Sequence, residues 1–129
     1  MSAPTILLVE DEPLLREGVQ EVLEVHGFQV IAVPDGLQAL QWLEQQPVTL
    51  VISDLVMPNM DGLEFVQRVR EKFPALPVIT TSGSSDAVMS RLGIDSLQVP
   101  GATASITKPF KSADLLDLIR RVQKEAVGG

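Results

Sequence analysis

The sequence predicts an α/β fold, in which five parallel strands form one doubly wound sheet with helices on both faces. Five short apolar runs are rich in β-branched residues and lack polar alternation, as in strands buried on both faces. Stretches with helical spacing separate these runs, so βα units fill the chain from Thr5 to about Ala126. The runs are residues 6–9, 30–31, 50–52, 78–79 and a weaker 105–106.

The helical stretches each have an apolar face that predicts which residues point toward the sheet. The first helix is expected to begin near Pro13 and end near Gly27, because proline suits a first turn and glycine follows a last one. One short helix is expected between residues 82 and 101, although no single apolar face stands out there. The expected inward residues are Leu15, Val19, Val22, Leu23 and His26, then Leu37, Leu40 and Leu43, then Val66, Val69 and Phe73, and finally Leu115, Ile119 and Val122.

Length, composition and charge exclude several function classes. The 129 residues are enough for one domain, and 45% hydrophobic residues are typical of a soluble globular protein. No cysteine is present and His26 is the single histidine, which excludes disulfides, thiolate metal sites and zinc sites with two imidazoles. A net charge of −7 argues against nucleic-acid binding. No signal peptide or 18-residue apolar stretch is found, so we expect a cytoplasmic protein without membrane contact.

Acidic residues follow the first and third predicted strands. Glu10 and Asp11 come after the first strand, and Asp54 comes after the third. The carboxyl ends of parallel strands meet at the edge of the sheet where ligands bind in doubly wound folds. Carboxylates gathered there would repel one another unless a cation neutralised them, and Mg²⁺ prefers such oxygen ligands. The sequence therefore predicts a Mg²⁺ site.

A hydroxyl and an ammonium group are expected at the same edge. Ser82 ends the fourth predicted strand, and Lys108 follows the fifth. Carboxylates with a metal ion, a hydroxyl and a lysine can together hold a phosphoryl group while one carboxylate attacks it in line. This combination predicts phosphoryl-transfer chemistry.

The ordered set of motifs resembles the response-regulator receiver family, and the resemblance covers essentially the whole chain. It implies a flavodoxin-like strand order of 2-1-3-4-5. The motifs are Glu10-Asp11, Asp54 with Met57-Pro58 and Asp61-Gly62, Ser82-Gly83, Gly101-Ala102 and Lys108-Pro109-Phe110.

The resemblance also implies roles and partners. Asp54 would accept a phosphoryl group from a sensor histidine kinase or a phosphotransfer protein, and Ser82 and Lys108 would bind its oxygens. Mg²⁺ would be held by Glu10, Asp11, Asp54 and the backbone carbonyl of Val56. The resemblance thus implies a signalling domain that changes conformation on phosphorylation and regulates a downstream protein, rather than a turnover enzyme. Residues 1–129 are expected to form this single receiver domain, with no output domain.

Two features depart from the family pattern, and a third follows it. Ser105 stands where receivers usually carry an aromatic residue, three positions before the lysine. The segment between Ser82 and Lys108 is longer than in compact receivers. The Lys108-Pro109 peptide bond is expected to be cis, because a cis bond would turn the chain so that Lys108 points back at the acidic residues.

Two other functions are open at this stage. A metal-dependent phosphohydrolase with an aspartyl nucleophile would have a second acid two residues after the nucleophile, where this chain has Val56. A receiver-like scaffold that binds a partner without phosphorylation is consistent with Ser105 in place of the aromatic.

Overall fold

A computed structural model of the chain describes residues 4–83 and 99–128, with side chains as far as Lys124. Five parallel strands form one sheet in the order β2-β1-β3-β4-β5, which confirms the expected fold. The strands are β1 (Thr5–Val9), β2 (Gln29–Val33), β3 (Leu50–Asp54), β4 (Val78–Ser82) and β5 (Ala104–Thr107). The helices among the described residues are α1 (Pro13–Val25), α2 (Gly36–Gln45), α3 (Gly62–Lys72) and α4 (Ser112–Gly128). The short helix expected between residues 82 and 101 falls largely on residues 84–98, which lie outside the described part.

Each face of the sheet carries its own apolar core. Leu7 and Val9 of β1 pack with α2 and α3 on one face, and Ile6 and Leu8 pack with α1 and α4 on the other. The same alternation continues in β3 and β4. Burial on both faces explains why β1, β3 and β4 appear in the sequence as apolar runs, since in these strands neither set of side chains meets water.

The strand register brings residues from distant parts of the chain to one edge. Val9 pairs with Ser53, so Glu10 follows β1 beside the end of β3. Asp54 pairs with Thr81, and Ser82 pairs with Thr107. The carboxyl ends of β1, β3, β4 and β5 therefore meet where the sequence predicted a site.

Two expected helix faces are partly wrong. His26 is exposed, because α1 ends at Val25 and the chain turns at Gly27, where φ is +93°. Its Nδ1 donates a hydrogen bond to the Val22 carbonyl at 2.9 Å instead of packing in the core. Leu37 is 48% exposed, because α2 turns Ala39 and Leu43 toward the core. The expected inward residues of the last helix, Leu115, Ile119 and Val122, are all buried.

No helix in residues 4–83 and 99–128 is both long and apolar enough to cross a membrane.

Candidate functional site

Three carboxylates meet at the edge formed by the carboxyl ends of β1 and β3. One oxygen each from Glu10, Asp11 and Asp54 lies within 4.8 Å of the other two. Glu10 and Asp54 are buried, being 4% and 6% exposed, whereas Asp11 is exposed. The site thus has two carboxylates in the protein and one at the solvent boundary.

Lys108 bridges the two buried carboxylates. Its Nζ lies 2.7 Å from Glu10 Oε1 and 2.9 Å from Asp54 Oδ2, and its side chain is only 19% exposed. The backbone N–H of Lys108 also donates to the Ser82 carbonyl at 2.5 Å, which extends the pairing of β4 with β5 by one residue. The Lys108-Pro109 peptide bond is cis, as expected from the sequence.

Burial and ion pairing shift the protonation of this group in identifiable directions. Burial raises the pKa of Glu10, although hydrogen bonds from Lys108 and the Glu12 N–H act in the opposite direction. Burial alone would lower the pKa of Lys108, but its hydrogen bonds to Glu10 and Asp54 outweigh that effect and raise it. The stabilising contribution of charged Lys108 therefore extends above its ordinary pKa and is lost as pH rises through the raised value. The raised pKa of Glu10 gives a pH dependence of the same sign: its contribution to stability is full below the ordinary pKa and is lost as pH rises through the folded value, because burial disfavours the ionised carboxylate.

Ser82 ends β4 at this edge. It is 3% exposed and lies one position beyond Thr81, the residue that pairs with Asp54. Ser105 lies farther back on β5, where its Oγ is 2.7 Å from Thr80 Oγ1. In this position Ser105 links two strands, and it is exposed on the outer part of β5.

The loop after β3 passes close to Asp54. The Val56 N–H donates to Asp54 Oδ1 at 3.3 Å, and Val56 itself is half-buried beside the carboxylates. The loop closes where the Gly62 N–H donates to the Leu55 carbonyl at 2.7 Å. A Cβ at Gly62 would lie 2.6 Å from Leu55 Cα and 2.7 Å from the Asp54 carbonyl oxygen. Glycine is required at this position by space rather than by an unusual φ.

Sequence reasoning missed three residues next to the site. Arg16 Nη1 donates to the Glu10 carbonyl at 2.9 Å, and Asn59 Nδ2 donates to Asp35 Oδ2 at 3.2 Å. A signal for Arg16 did exist, since a cation in the first turn of a helix is unfavourable unless an acid lies nearby. Asp35 was detectable only as a helix N-cap before Gly36. Asn59 has no signal in a single sequence.

The donor set suits a hard divalent cation. Each of the three clustered residues offers a carboxylate oxygen, and the described residues contribute no imidazole or thiolate there. Mg²⁺ is held by one or two carboxylates with water and phosphate oxygens completing an octahedron. The half-open geometry, with Asp11 at the solvent boundary, leaves room for those additional oxygens.

Comparison with known families agrees with this geometry. The response regulator receiver domain model matches residues 6–120. The chain belongs to the response-regulator receiver family. The match includes every clustered carboxylate, Ser82 and Lys108.

Other receivers resemble this one in sequence and in structure. The transcriptional regulatory protein CseB of Streptomyces coelicolor is 36% identical over 117 residues, which are 91% of this chain and 48% of CseB. The chain thus spans about half the length of such curated relatives. The receiver domain of a signal transduction histidine kinase from Syntrophus aciditrophicus is 32% identical, with a TM-score of 0.83 over 95% of this chain and 92% of that one. The receiver domain of an HD domain-containing protein from Pseudomonas fluorescens Pf-5 gives a TM-score of 0.85 at 25% identity, covering 99% and 92% of the two chains.

Replacing Gly62 by alanine should destabilise the receiver, because the added methyl meets backbone atoms that cannot move independently of Asp54. We expect Gly62→Ala to lower the free energy of unfolding by about 1–3 kcal/mol in urea titrations, the usual range for overpacking. Gly18→Ala is the matched control, since a Cβ there meets nothing within 4 Å. In the middle of α1 that change should be neutral or stabilising by up to about 1 kcal/mol. Equal stability of the two variants would contradict the steric argument.

Removing the ammonium of Lys108 should leave Glu10 and Asp54 facing each other without a counter-charge. We expect Lys108→Met to destabilise the protein in EDTA at neutral pH by about 1–3 kcal/mol, the cost of an uncompensated, partly buried charge pair. Lys111→Met, at an exposed lysine, should change stability by less than about 0.5 kcal/mol. A Lys108→Met protein that unfolds at the wild-type urea concentration would refute the structural role of the bridge.

Proposed function

We propose that the chain is the phosphoacceptor receiver of a two-component pathway. Asp54 takes a phosphoryl group from the phosphohistidine of a sensor histidine kinase or a phosphotransfer protein. The aspartyl phosphate then changes the receiver surface that a downstream protein recognises. The observation that carries this proposal is the contact of Lys108 Nζ with Asp54 Oδ2 at 2.9 Å and Glu10 Oε1 at 2.7 Å, beside a third carboxylate.

The proposed transfer needs little covalent chemistry from the protein. An Asp54 carboxylate oxygen forms a bond to phosphorus while the phosphorus–nitrogen bond of the donor breaks, and the imidazole leaves with that electron pair. Glu10, Asp11, Asp54 and the Val56 carbonyl would hold the metal ion. Mg²⁺, when bound, would offset the charge on the phosphoryl oxygens. The Lys108 ammonium can exchange its carboxylate contact for a phosphoryl oxygen, and the Ser82 hydroxyl can donate to another.

The reaction is proposed to be stoichiometric. Val56 occupies the position two residues after Asp54, where the aspartyl phosphohydrolases have a second acid. We propose that this chain accepts the phosphoryl group once and signals with it, instead of turning over a substrate. The same surface charge that suits Mg²⁺ does not suit nucleic acid, since the net charge of the chain is −7. Proteins are therefore the proposed partners of this domain.

One experiment separates the proposed function from its alternatives. The protein is incubated with acetyl phosphate and Mg²⁺ and followed by intact mass spectrometry. A receiver gains one adduct of about 80 Da, the mass of a phosphoryl group. A phosphohydrolase releases phosphate continuously without accumulating the adduct, and an unphosphorylated scaffold does neither.

Replacing the proposed acceptor should abolish the adduct. We expect Asp54→Ala to show no phosphoryl incorporation while keeping the far-ultraviolet circular dichroism of the wild type. Asp117→Ala, at an exposed acid on α4, is the control and should label like the wild type. An Asp54→Ala protein that still gains the adduct, with its mass shift mapped to another acid, would overturn the assignment.

Asp11 should link Mg²⁺ binding to stability. Because it lies within 4.8 Å of two other carboxylates, Asp11→Asn relieves repulsion and should raise the melting temperature in EDTA by about 2–5 °C. The same change removes a proposed ligand. The stabilisation that millimolar Mg²⁺ gives the wild type by binding to the folded state should therefore largely disappear. Differential scanning calorimetry measures both effects, with Asp117→Asn as the control. A full Mg²⁺ shift in Asp11→Asn would exclude Asp11 as a ligand.

A further inference from the structure

A hydrogen bond ties the β2–α2 connection to the loop after β3. Asp35 is 8% exposed, and its carboxylate has two partners on different elements. Oδ1 accepts from the Gln38 N–H at 2.9 Å, which caps the N-terminus of α2. Oδ2 accepts from Asn59 Nδ2 at 3.2 Å. One buried carboxylate thus caps a helix and contacts the loop that follows Asp54.

Asn59 adopts a backbone conformation that few side chains tolerate. Its φ is +71°, and it is the one positive-φ residue other than glycine in residues 4–83 and 99–128. Asparagine visits this region more readily than most residues. The conformation turns the loop toward Asp35, where a charge-assisted hydrogen bond forms. The backbone preference and the side-chain contact therefore support each other.

The loop between Asp54 and Asn59 has support at both of its ends. Val56 N–H contacts Asp54 Oδ1 at 3.3 Å on the acceptor side. On the other side, Met60 is 4% exposed, and a Cβ at Gly36 would lie 3.4 Å from its Sδ. The far end of the loop therefore packs against the residues around Asp35. Asn59, in this part of the loop, lies five residues after Asp54 in the sequence.

We propose that Asp35 and Asn59 form a clamp that positions the loop of residues 55–60, and with it the Val56 carbonyl, for Mg²⁺. The inference rests on the proposed phosphoacceptor function and names two positioning residues for it. Neither residue belongs to the acidic cluster or contacts Lys108. Their effect is to order the loop before the ion binds. Because the loop is already ordered, Mg²⁺ binding does not include the loss of loop entropy.

Loss of the clamp should weaken Mg²⁺ binding without removing a ligand. The ordinary net contribution of a protein hydrogen bond is enough to change an equilibrium about three- to tenfold. We expect the dissociation constant for Mg²⁺ alone, measured by isothermal titration calorimetry, to rise by about that factor. The labelling rate with acetyl phosphate at saturating Mg²⁺ should stay within about twofold of wild type, because excess ion compensates for weak binding.

Two variants break the clamp from opposite sides. Asn59→Gly keeps the positive φ and removes the amide donor. Asp35→Ser keeps a hydroxyl that can cap α2, but its side chain is too short to reach Asn59. Both substitutions remove the same hydrogen bond. The double variant Asp35→Ser/Asn59→Gly should therefore have a Mg²⁺ dissociation constant no higher than that of the weaker-binding single variant, instead of one raised by both factors multiplied.

Asp61→Ser is the matched control for Asp35→Ser. Asp61 caps α3 by accepting from the Glu64 N–H at 2.9 Å, and it is exposed. The same chemical change at this cap should leave the Mg²⁺ dissociation constant within about twofold of wild type. A loss equal to that of Asp35→Ser would assign the effect to helix capping and overturn the clamp.

Hydrogen exchange gives a readout that does not depend on the metal. The Met60 N–H donates to the Pro58 carbonyl at 2.8 Å, inside the clamped loop. In EDTA its amide should exchange several-fold faster in Asn59→Gly and Asp35→Ser than in wild type, while amides of β1 and β3 keep their protection. Faster exchange throughout the sheet would instead indicate general destabilisation and would count against a local positioning role.

A swapped pair tests whether the hydrogen bond itself matters. Asp35→Asn with Asn59→Asp reverses donor and acceptor, keeps the net charge, and retains an oxygen to cap α2. Asparagine and aspartate both tolerate the Asn59 backbone. The swapped protein should return the Met60 exchange rate and the Mg²⁺ dissociation constant to within about twofold of wild type.

Different results would contradict the phosphoacceptor function and the clamp. If the wild type gains no adduct on Asp54, the proposed function is wrong whatever the clamp does. If the wild type is labelled normally but Asn59→Gly and Asp35→Ser match it in Mg²⁺ affinity and in Met60 exchange, the clamp is wrong and the receiver function stands.

Discussion

The acidic site depends on the two ion pairs that the ammonium of Lys108 makes with buried carboxylates. Two buried carboxylates, Glu10 and Asp54, end adjacent strands, and without a cation their repulsion in a partly desolvated site would oppose folding. Lys108 directly follows β5, which lies two strands away from β3 in the sheet, and its backbone N–H is bonded to the Ser82 carbonyl. The site is therefore assembled across the sheet rather than along the chain. We therefore expect a disturbance of the β4–β5 pairing to change the charge balance at Asp54.

Strand register is what makes that assembly reliable. The strands β1, β2, β3 and β4 each contribute side chains to both apolar cores, so a slip of one residue would exchange the two faces. In β3 the same slip would put Ser53 where Asp54 now ends the strand. The apolar residues of β1, β3 and β4 thus determine where the carboxylates lie, although none of them takes part in the chemistry. Core packing and site geometry are one constraint in this fold.

The loop after β3 adds a second level of control over the site. Gly62 lets α3 begin against the backbone of Asp54 and Leu55, which shortens the loop, and the bond between Asp35 and Asn59 holds its far end. Both features act on the peptide groups beside Asp54 rather than on its carboxylate. Under the proposed clamp, receivers with the same acidic residues can differ in Mg²⁺ affinity through the backbone of this loop. Differences between receivers then need not reside in the ligands themselves.

The sequence by itself was enough to predict the parallel sheet, the helices that flank it and the edge where Glu10, Asp11, Asp54, Ser82 and Lys108 meet. These predictions depend on local patterns, namely apolar runs that end in polar residues, and on the rule that parallel strands share a carboxyl edge. The tertiary structure decided the rest. It exposed Leu37 because the small residues Gly36 and Ala39, which give a weak apolar signal, let α2 pack closely against Phe65 and Met60. It exposed His26 because α1 ends at Val25, before the turn at Gly27. It also brought Asn59 to Asp35, which lies 24 residues earlier in the chain. Such contacts follow from close packing between distant segments, and a single sequence does not encode them as a local pattern.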